Sequence, residues 1–200
     1  MHRQAAIAVG SLVMSKVKRF IGTTVLWSAL GCSGGVRPPA ANPELEALYR
    51  ADQDDRAGDV NGIQWSEVGP RDARRRQQVQ DMLASGQVRV AADYFHAAMV
   101  LQHGATPADF RQAHELAMKA AQLDPHHKEA KWLAAAAKDR ELMNLGKPQL
   151  YGTQFRTKED GVWELYPVDP TITDAERAKW NVPPLAEAKK RVAILNGEKN

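Results

Sequence analysis

The chain reads as a compact, mainly α-helical domain with one small β-hairpin towards its C-terminal side. Three observations predict this class. Start signals such as Asn42-Pro43, Thr106-Pro107 and Thr173 alternate with stop signals at Gly86, Gly104 and Gly146, spaced at helical lengths. Between them apolar residues recur at three- and four-residue intervals. One stretch, Leu150 to Tyr166, reads instead as two strands about a turn at Lys158–Gly161.

The first 31 residues have the order of a secretory leader. Lys16, Lys18 and Arg19 precede about eleven largely apolar residues that begin at Phe20, and small Gly31 lies directly before Cys32, the chain's single cysteine. The apolar run is too short to span a bilayer as a mature helix. Met14 offers a second start with a more compact basic leader. Ala29-Leu30-Gly31-Cys32 resembles the lipobox of bacterial lipoproteins, with Ala and Leu in the reverse of their more usual order. That resemblance implies cleavage before Cys32 and acylation of its thiol, with palmitate as a typical chain. Ser33 rather than Asp after the cysteine implies sorting to the outer membrane, facing the periplasm. Residues 32–41, rich in Gly, Pro and Ala, read as the lipidated residue and a flexible tether, and residues 42–200 as a single domain.

The charge balance changes once the leader is removed. The whole chain carries 27 basic and 24 acidic residues, but Arg3, Lys16, Lys18 and Arg19 belong to the leader, leaving 23 against 24. A near-neutral mature domain argues against a nucleic-acid partner. With one cysteine, the mature domain forms no internal disulfide, and core packing alone must hold it.

The domain begins with a helix capped by Asn42, with Pro43 at its first position and Leu45, Leu48 and Tyr49 on one side, ending near Gly58. A second helix is expected from Pro70 to Ser85, with Val79, Met82 and Leu83 as its apolar stripe and Arg71, Arg74, Arg75 and Arg76 as a solvated face interrupted by Asp72 and Asp81. Three helices joined by short turns follow: Val88–His103, Thr106–Leu123 and His127–Leu145, the last with Trp132, Leu133, Ala136 and Leu142 as its apolar face. After the hairpin, Thr173 and Glu176 form a capping box for a short helix to Trp180, and Pro183-Pro184 opens a last amphipathic helix. Gly152, inside the first expected strand, marks a close backbone approach.

Ala113, Ala117, Ala120 and Leu123-Asp124-Pro125, followed by Ala130, Trp132 and Leu133, resemble the second helix of a tetratricopeptide repeat and the start of its successor. The likeness covers about 45 residues and fails in the preceding helix, where Leu101 and Gly104 replace a small and an aromatic residue. It implies one antiparallel helix pair, not an array. Over residues 45–191 the chain also resembles a family of bacterial proteins, often with secretion signals, whose activity is uncharacterised. The phrases that carry this are Leu48-Tyr49 with Asp52 and Asp55-Arg56, Gln102-His103-Gly104, Ala113-His114-Glu115-Leu116-Ala117, Trp132-Leu133 with Asp139-Arg140, and Gly146-Lys147-Pro148-Gln149 leading to Tyr151-Gly152-Thr153-Gln154-Phe155. The family likeness implies a mainly helical domain and no particular reaction.

For chemistry, Asp93, His96 and His103 fall along one stripe of a helix, and His114 on the next helix is a further candidate. Two imidazoles and a carboxylate on one face suit a metal or a general base with its orienting partner. His96 and His103 are two turns apart, roughly 10 Å by helix rise, so the stripe by itself makes no metal site. Gln102, Asp139, Arg140, Gln149, Thr153 and Gln154 are the candidate binding residues; Thr153 and Gln154 put polar side chains on an expected strand where they would line a groove. No HExxH, GxSxG or phosphate-cradling glycine loop is present, and no cofactor is implied. The expectation is a lipid-anchored protein of the bacterial cell envelope that binds a protein or peptide partner on its helix pair. The alternative is an envelope hydrolase or metal-dependent enzyme using Asp93, His96, His103 and His114.

Overall fold

Four consecutive alanines, Ala134 to Ala137, are all buried at the centre of the structure. The computed structural model describes residues 39–57 and 62–197. The expected leader, the lipidation site Cys32 and most of the tether lie outside the described residues.

Among the described residues the order is α1 (Pro43–Asp54), α2 (Trp65–Ala84), α3 (Ala91–Leu101), α4 (Pro107–Leu123), α5 (Lys128–Asn144), β1 (Phe155–Thr157), β2 (Trp163–Leu165), α6 (Asp174–Lys179) and α7 (Leu185–Leu195). The fold is mainly helical with one antiparallel hairpin, as the punctuation predicts. Helix α4 packs between α3 and α5, α3 also meets α1 and α2, and α7 lies on β2. No helix among the described residues is long and apolar enough to cross a membrane.

Helix α5 is the central element. Its buried residues, from Ala130 through Leu133–Ala137 to Asp139–Glu141 and Met143, occupy every side of the helix rather than one face. The expected apolar face is therefore too narrow: Trp132 and Leu142 are only half-buried, while the alanine run lets neighbours close in all round. On α4, Ala113, Ala117 and Ala120 are fully buried, as a close helix pair requires. Leu45, Val79, Val100 and Leu101 join Ala113 and Ala137 in one core cluster, and Phe95, Leu133, Ala117, Ala120 and Ala134 belong to a second. Each buried leucine or valine contributes about 1.5–3 kcal/mol.

Three boundaries differ from expectation for identifiable reasons. Helix α2 begins at Trp65, five residues before Pro70, because burial of Val68 draws in an extra turn. Pro70, in the second turn, withholds a single hydrogen bond there. Helix α3 begins at Ala91 rather than Val88, because the Asp93 carboxylate takes the amides of Arg89 (2.9 Å) and Val90 (3.1 Å) and holds them outside the helix. Residues 150–154 form no strand: the amides of Leu150, Tyr151, Thr153 and Gln154 are turned to side-chain acceptors, and pairing starts only at Phe155, opposite Leu165. Gly152 is the close approach its type predicts. Its φ is +83°, and a Cβ there would lie 3.1 Å from the Leu185 side chain.

Candidate functional site

The spacing of charges on α1 and α2 builds the site. Leu45, Tyr49, Asp52 and Arg56 recur at intervals of four, three and four, and so do Val68, Asp72, Arg75 and Val79. Each series lies along one side of its helix, so the charged members are carried into the interior with the apolar ones. Asp52, Arg56, Asp72 and Arg75 are all buried. Burying an ion is costly unless it is paired and hydrogen-bonded.

The pairing is dense. Arg56 donates from Nη1 to Asp52 Oδ1 and to the Asp52 carbonyl, both at 3.0 Å, and from Nη2 to Asp72 Oδ2 at 2.5 Å. Arg75 Nη2 reaches Asp72 Oδ1 at 2.5 Å and Asp55 Oδ2 at 2.7 Å, and Arg71 Nε donates to Asp55 at 3.0 Å. From the end of α3, His103 Nδ1 lies 2.9 Å from Asp52 Oδ1. A carboxylate at that distance fixes the neutral tautomer with its proton on Nδ1. The other nitrogen, Nε2, is buried and has no hydrogen-bond partner among the described residues.

On the next layer Arg140 of α5 donates from Nη1 to the Gln102 carbonyl at 2.9 Å and from Nε to Gln154 Oε1 at 3.2 Å, with its guanidinium 5.9 Å from the Phe110 ring centroid. Both hydrogen-bond acceptors are neutral, and no carboxylate lies within ion-pair distance of Arg140 among the described residues. Asp139, adjacent in sequence, points about 100° away round the helix and gathers the segment after α5. It accepts from the amides of Leu150 (2.7 Å), Tyr151 (3.0 Å) and Thr153 (3.1 Å) and from the Thr153 hydroxyl (2.8 Å). Gln149 closes the same segment. Its Nε2 donates to the carbonyls of Gln154 and Tyr166, and its Oε1 accepts from the Gln154 amide.

Electrostatics separates these groups. Burial pushes the Asp52 carboxyl up, but His103, Arg56 and Gln53 outweigh it and hold the group below the usual carboxylate range. His103 is pushed down by burial and by the charges of Arg56 and Arg140, against the pull of Asp52, so the ring is neutral at neutral pH. Burial and the like charge of Arg56 lower Arg140 to about 10, and it stays a cation. Asp139 is raised by burial, with its four donors pulling against that shift.

The sequence candidates divide between this cluster and other places. His103, Gln102, Asp139, Arg140, Gln149, Thr153 and Gln154 belong to it. Asp93, His96 and His114 do not converge on His103, and no two of these four hydrogen-bond to each other. Asp93 accepts from the backbone amides of Asn42, Arg89 and Val90. His96 stacks on Tyr49 at 4.6 Å, and its Nδ1 has no partner among the described residues. His114 donates from Nδ1 to the Ala134 carbonyl at 2.8 Å, tying α4 to α5. One helical stripe does not gather its members when each lies opposite a different neighbour. No group of three metal-ligating side chains is assembled among the described residues. Thr153 and Gln154 lie not on a strand lining a groove but in a loop folded onto Asp139.

The expected solvated arginine face also needs correction. Arg74 and Arg71 are exposed, but Arg75 and its partner Asp72 are interior. The signal that finds them is their four-and-three spacing from Val68 and Val79. Asp52, the partner of His103, is found by the same rule. Two surface hollows lie away from the cluster. One, of about 280 Å³, is lined by Met118, Ala121, Lys131 and Trp180. The other, of about 360 Å³, is lined by Glu44, Gln78 and Ser85. No protein-family model matches the chain, and neither a curated protein nor a solved structure matches it.

Proposed function

We propose that the chain is a lipid-tethered protein of the bacterial cell envelope whose helical body is a binding module for a protein or peptide partner, with its binding centre at the buried cluster around His103 and Arg140. The observation that supports this is the unmatched state of three cluster members. A network serving only to fasten helices satisfies its buried groups. Among the described residues Nε2 of His103 and Nε of Arg75 have no hydrogen-bond partner, and Arg140 is a buried cation whose acceptors are all neutral. Native mass spectrometry of the tagged full chain from solubilised envelopes tests this. A bound species of fixed stoichiometry is expected on the wild type and on His114→Ala, and not on a folded Arg140→Met variant. Equal capture by Arg140→Met, or no bound species on any form, overturns it.

A second reading is favoured by Asp52 and His103 together. A carboxylate on Nδ1 and a free lone pair on Nε2 is the arrangement of a general base with its orienting partner. The base would activate water, since the Thr153 hydroxyl is already given to Asp139. Turnover of simple acyl or phosphoryl esters that is lost in His103→Gln supports an envelope hydrolase; none in the wild type removes that reading.

A further inference from the structure

We infer that the cluster takes up one carboxylate group, held by the guanidinium of Arg140 and by Nε2 of His103, and that it does so together with one proton. This rests on the binding-module reading and names its ligand chemistry.

Two independent deficits lead to the same ligand. Arg140 is a fork of donors to which the protein offers a carbonyl, an amide oxygen and no anion. His103 is held by Asp52 through Nδ1, and its buried Nε2 has no hydrogen-bond partner among the described residues. The two residues are neighbours: Arg140 donates to the carbonyl of Gln102, the residue before His103, and its charge is felt at the imidazole. A carboxylate supplies one negative charge and two acceptor oxygens, one for each residue. A phosphate would bring further oxygens and charge to donors already engaged elsewhere.

The proton follows from hydrogen-bond chemistry. Neutral Nε2 is an acceptor, and an ionised carboxylate only accepts, so the two repel unless a proton stands between them. A solvent proton goes onto Nε2, the imidazolium donates to Asp52 and to the ligand, and no covalent bond changes. The charges facing the ring are Asp52 of α1 and Arg56 in the turn after it, Arg75 and Arg76 from α2, and Arg140 from α5. Arg75 lies 4.0 Å from Asp52, and Arg76 donates to the His103 carbonyl at 3.0 Å. Asp72 is held between Arg56 and Arg75, and Asp139 is turned to the 150–153 segment. With Asp52 already shared with Arg56, ring protonation in the empty protein is opposed by the arginines, and the ligand removes that opposition. Affinity therefore rises as pH falls, by up to about tenfold per pH unit, and levels off where the empty protein itself takes the proton.

The test is calorimetric titration of the full chain in detergent at two pH values, each in two buffers of different ionisation enthalpy. The probes are acetate, inorganic phosphate, and trialanine with a free or an amidated C-terminus. Uptake of acetate or of the free peptide acid with about one proton per chain is expected. Acetate and the peptide acid separate a small carboxylic acid from a peptide terminus as the source. His103→Gln keeps an N–H for Asp52 and should abolish proton uptake, and Arg140→Met should weaken binding by about tenfold or more. If Arg140→Met does not fold, Arg140→Lys keeps the charge without the fork and should bind weakly with proton uptake intact. Binding without proton uptake, proton uptake unchanged in His103→Gln, equal binding of the amidated peptide, or tighter binding of phosphate each overturns the inference. Failure of every probe overturns it too. If a species lost in Arg140→Met is still seen by native mass spectrometry, the binding-module reading stands with another ligand; if none is seen, both fall.

Discussion

Asp139 holds Thr153 twice, through the amide at 3.1 Å and the hydroxyl at 2.8 Å, and so binds the segment after α5 back onto the helix it has just left. With Leu150 and Tyr151 added, one carboxylate satisfies four donors that would otherwise be buried without acceptors. Asp139→Asn replaces one acceptor oxygen by an NH2 facing N–H groups. The expected loss is about 2–4 kcal/mol, read from urea denaturation, with faster amide exchange at Leu150, Tyr151 and Thr153.

Arg56 and Arg140 should respond very unequally to the same substitution. Arg56 bridges Asp52 and Asp72, so Arg56→Met leaves two buried carboxylates short of a partner and should cost about 3–5 kcal/mol. Arg140 neutralises no carboxylate. Relief of its buried charge offsets the loss of two bonds to neutral oxygens, and Arg140→Met should cost about 1 kcal/mol or less. Thermal melts of the two variants compare them directly.

Stability should fall as pH drops from 7 towards 5. The folded-state basicity of His103 is depressed, so below the ordinary histidine range the unfolded chain binds the proton and the folded chain does not. Stability then rises with pH through that window, by at most about 1.4 kcal/mol per pH unit for one histidine. His96 is also depressed, first by burial, and contributes in the same direction. His103→Gln should flatten the dependence without removing it, and His103→Gln/His96→Gln should nearly abolish it, as denaturation midpoints at pH 5, 6 and 7 will show.

Gly104 joins α3 to α4 with no room for a side chain. A Cβ there would lie 2.2 Å from the Asp109 Cβ, in the residue that accepts from the amides of Ala105 and Thr106. Gly104→Ala should cost about 1–3 kcal/mol, and Gly86→Ala makes no such contact, although its φ of +67° carries its own strain. A variant of Gly104 as stable as the wild type in guanidinium would remove the steric argument.

What the sequence determined by itself was local. Asn42, Thr106 and Thr173 each receive amides of the helix they start, as their types require, and the hairpin falls where a Gly-containing turn separates short apolar segments. These signals are legible because a cap or a turn involves residues only two to four apart. The register of Asp52, Asp72 and Arg75 with Leu45 and Val68 marks them as buried, yet the expectation of a solvated face for Arg75 and Asp72 missed it, and their partners left no local signal. That His103 meets Asp52, 51 residues away, and that Asp139 and Arg140 turn to different neighbours, depends on how α1, α3 and α5 pack. The tertiary structure decided which members of the Asp93–His103 stripe share a site. A helical period states which residues lie on one side, while packing alone states what each of them faces.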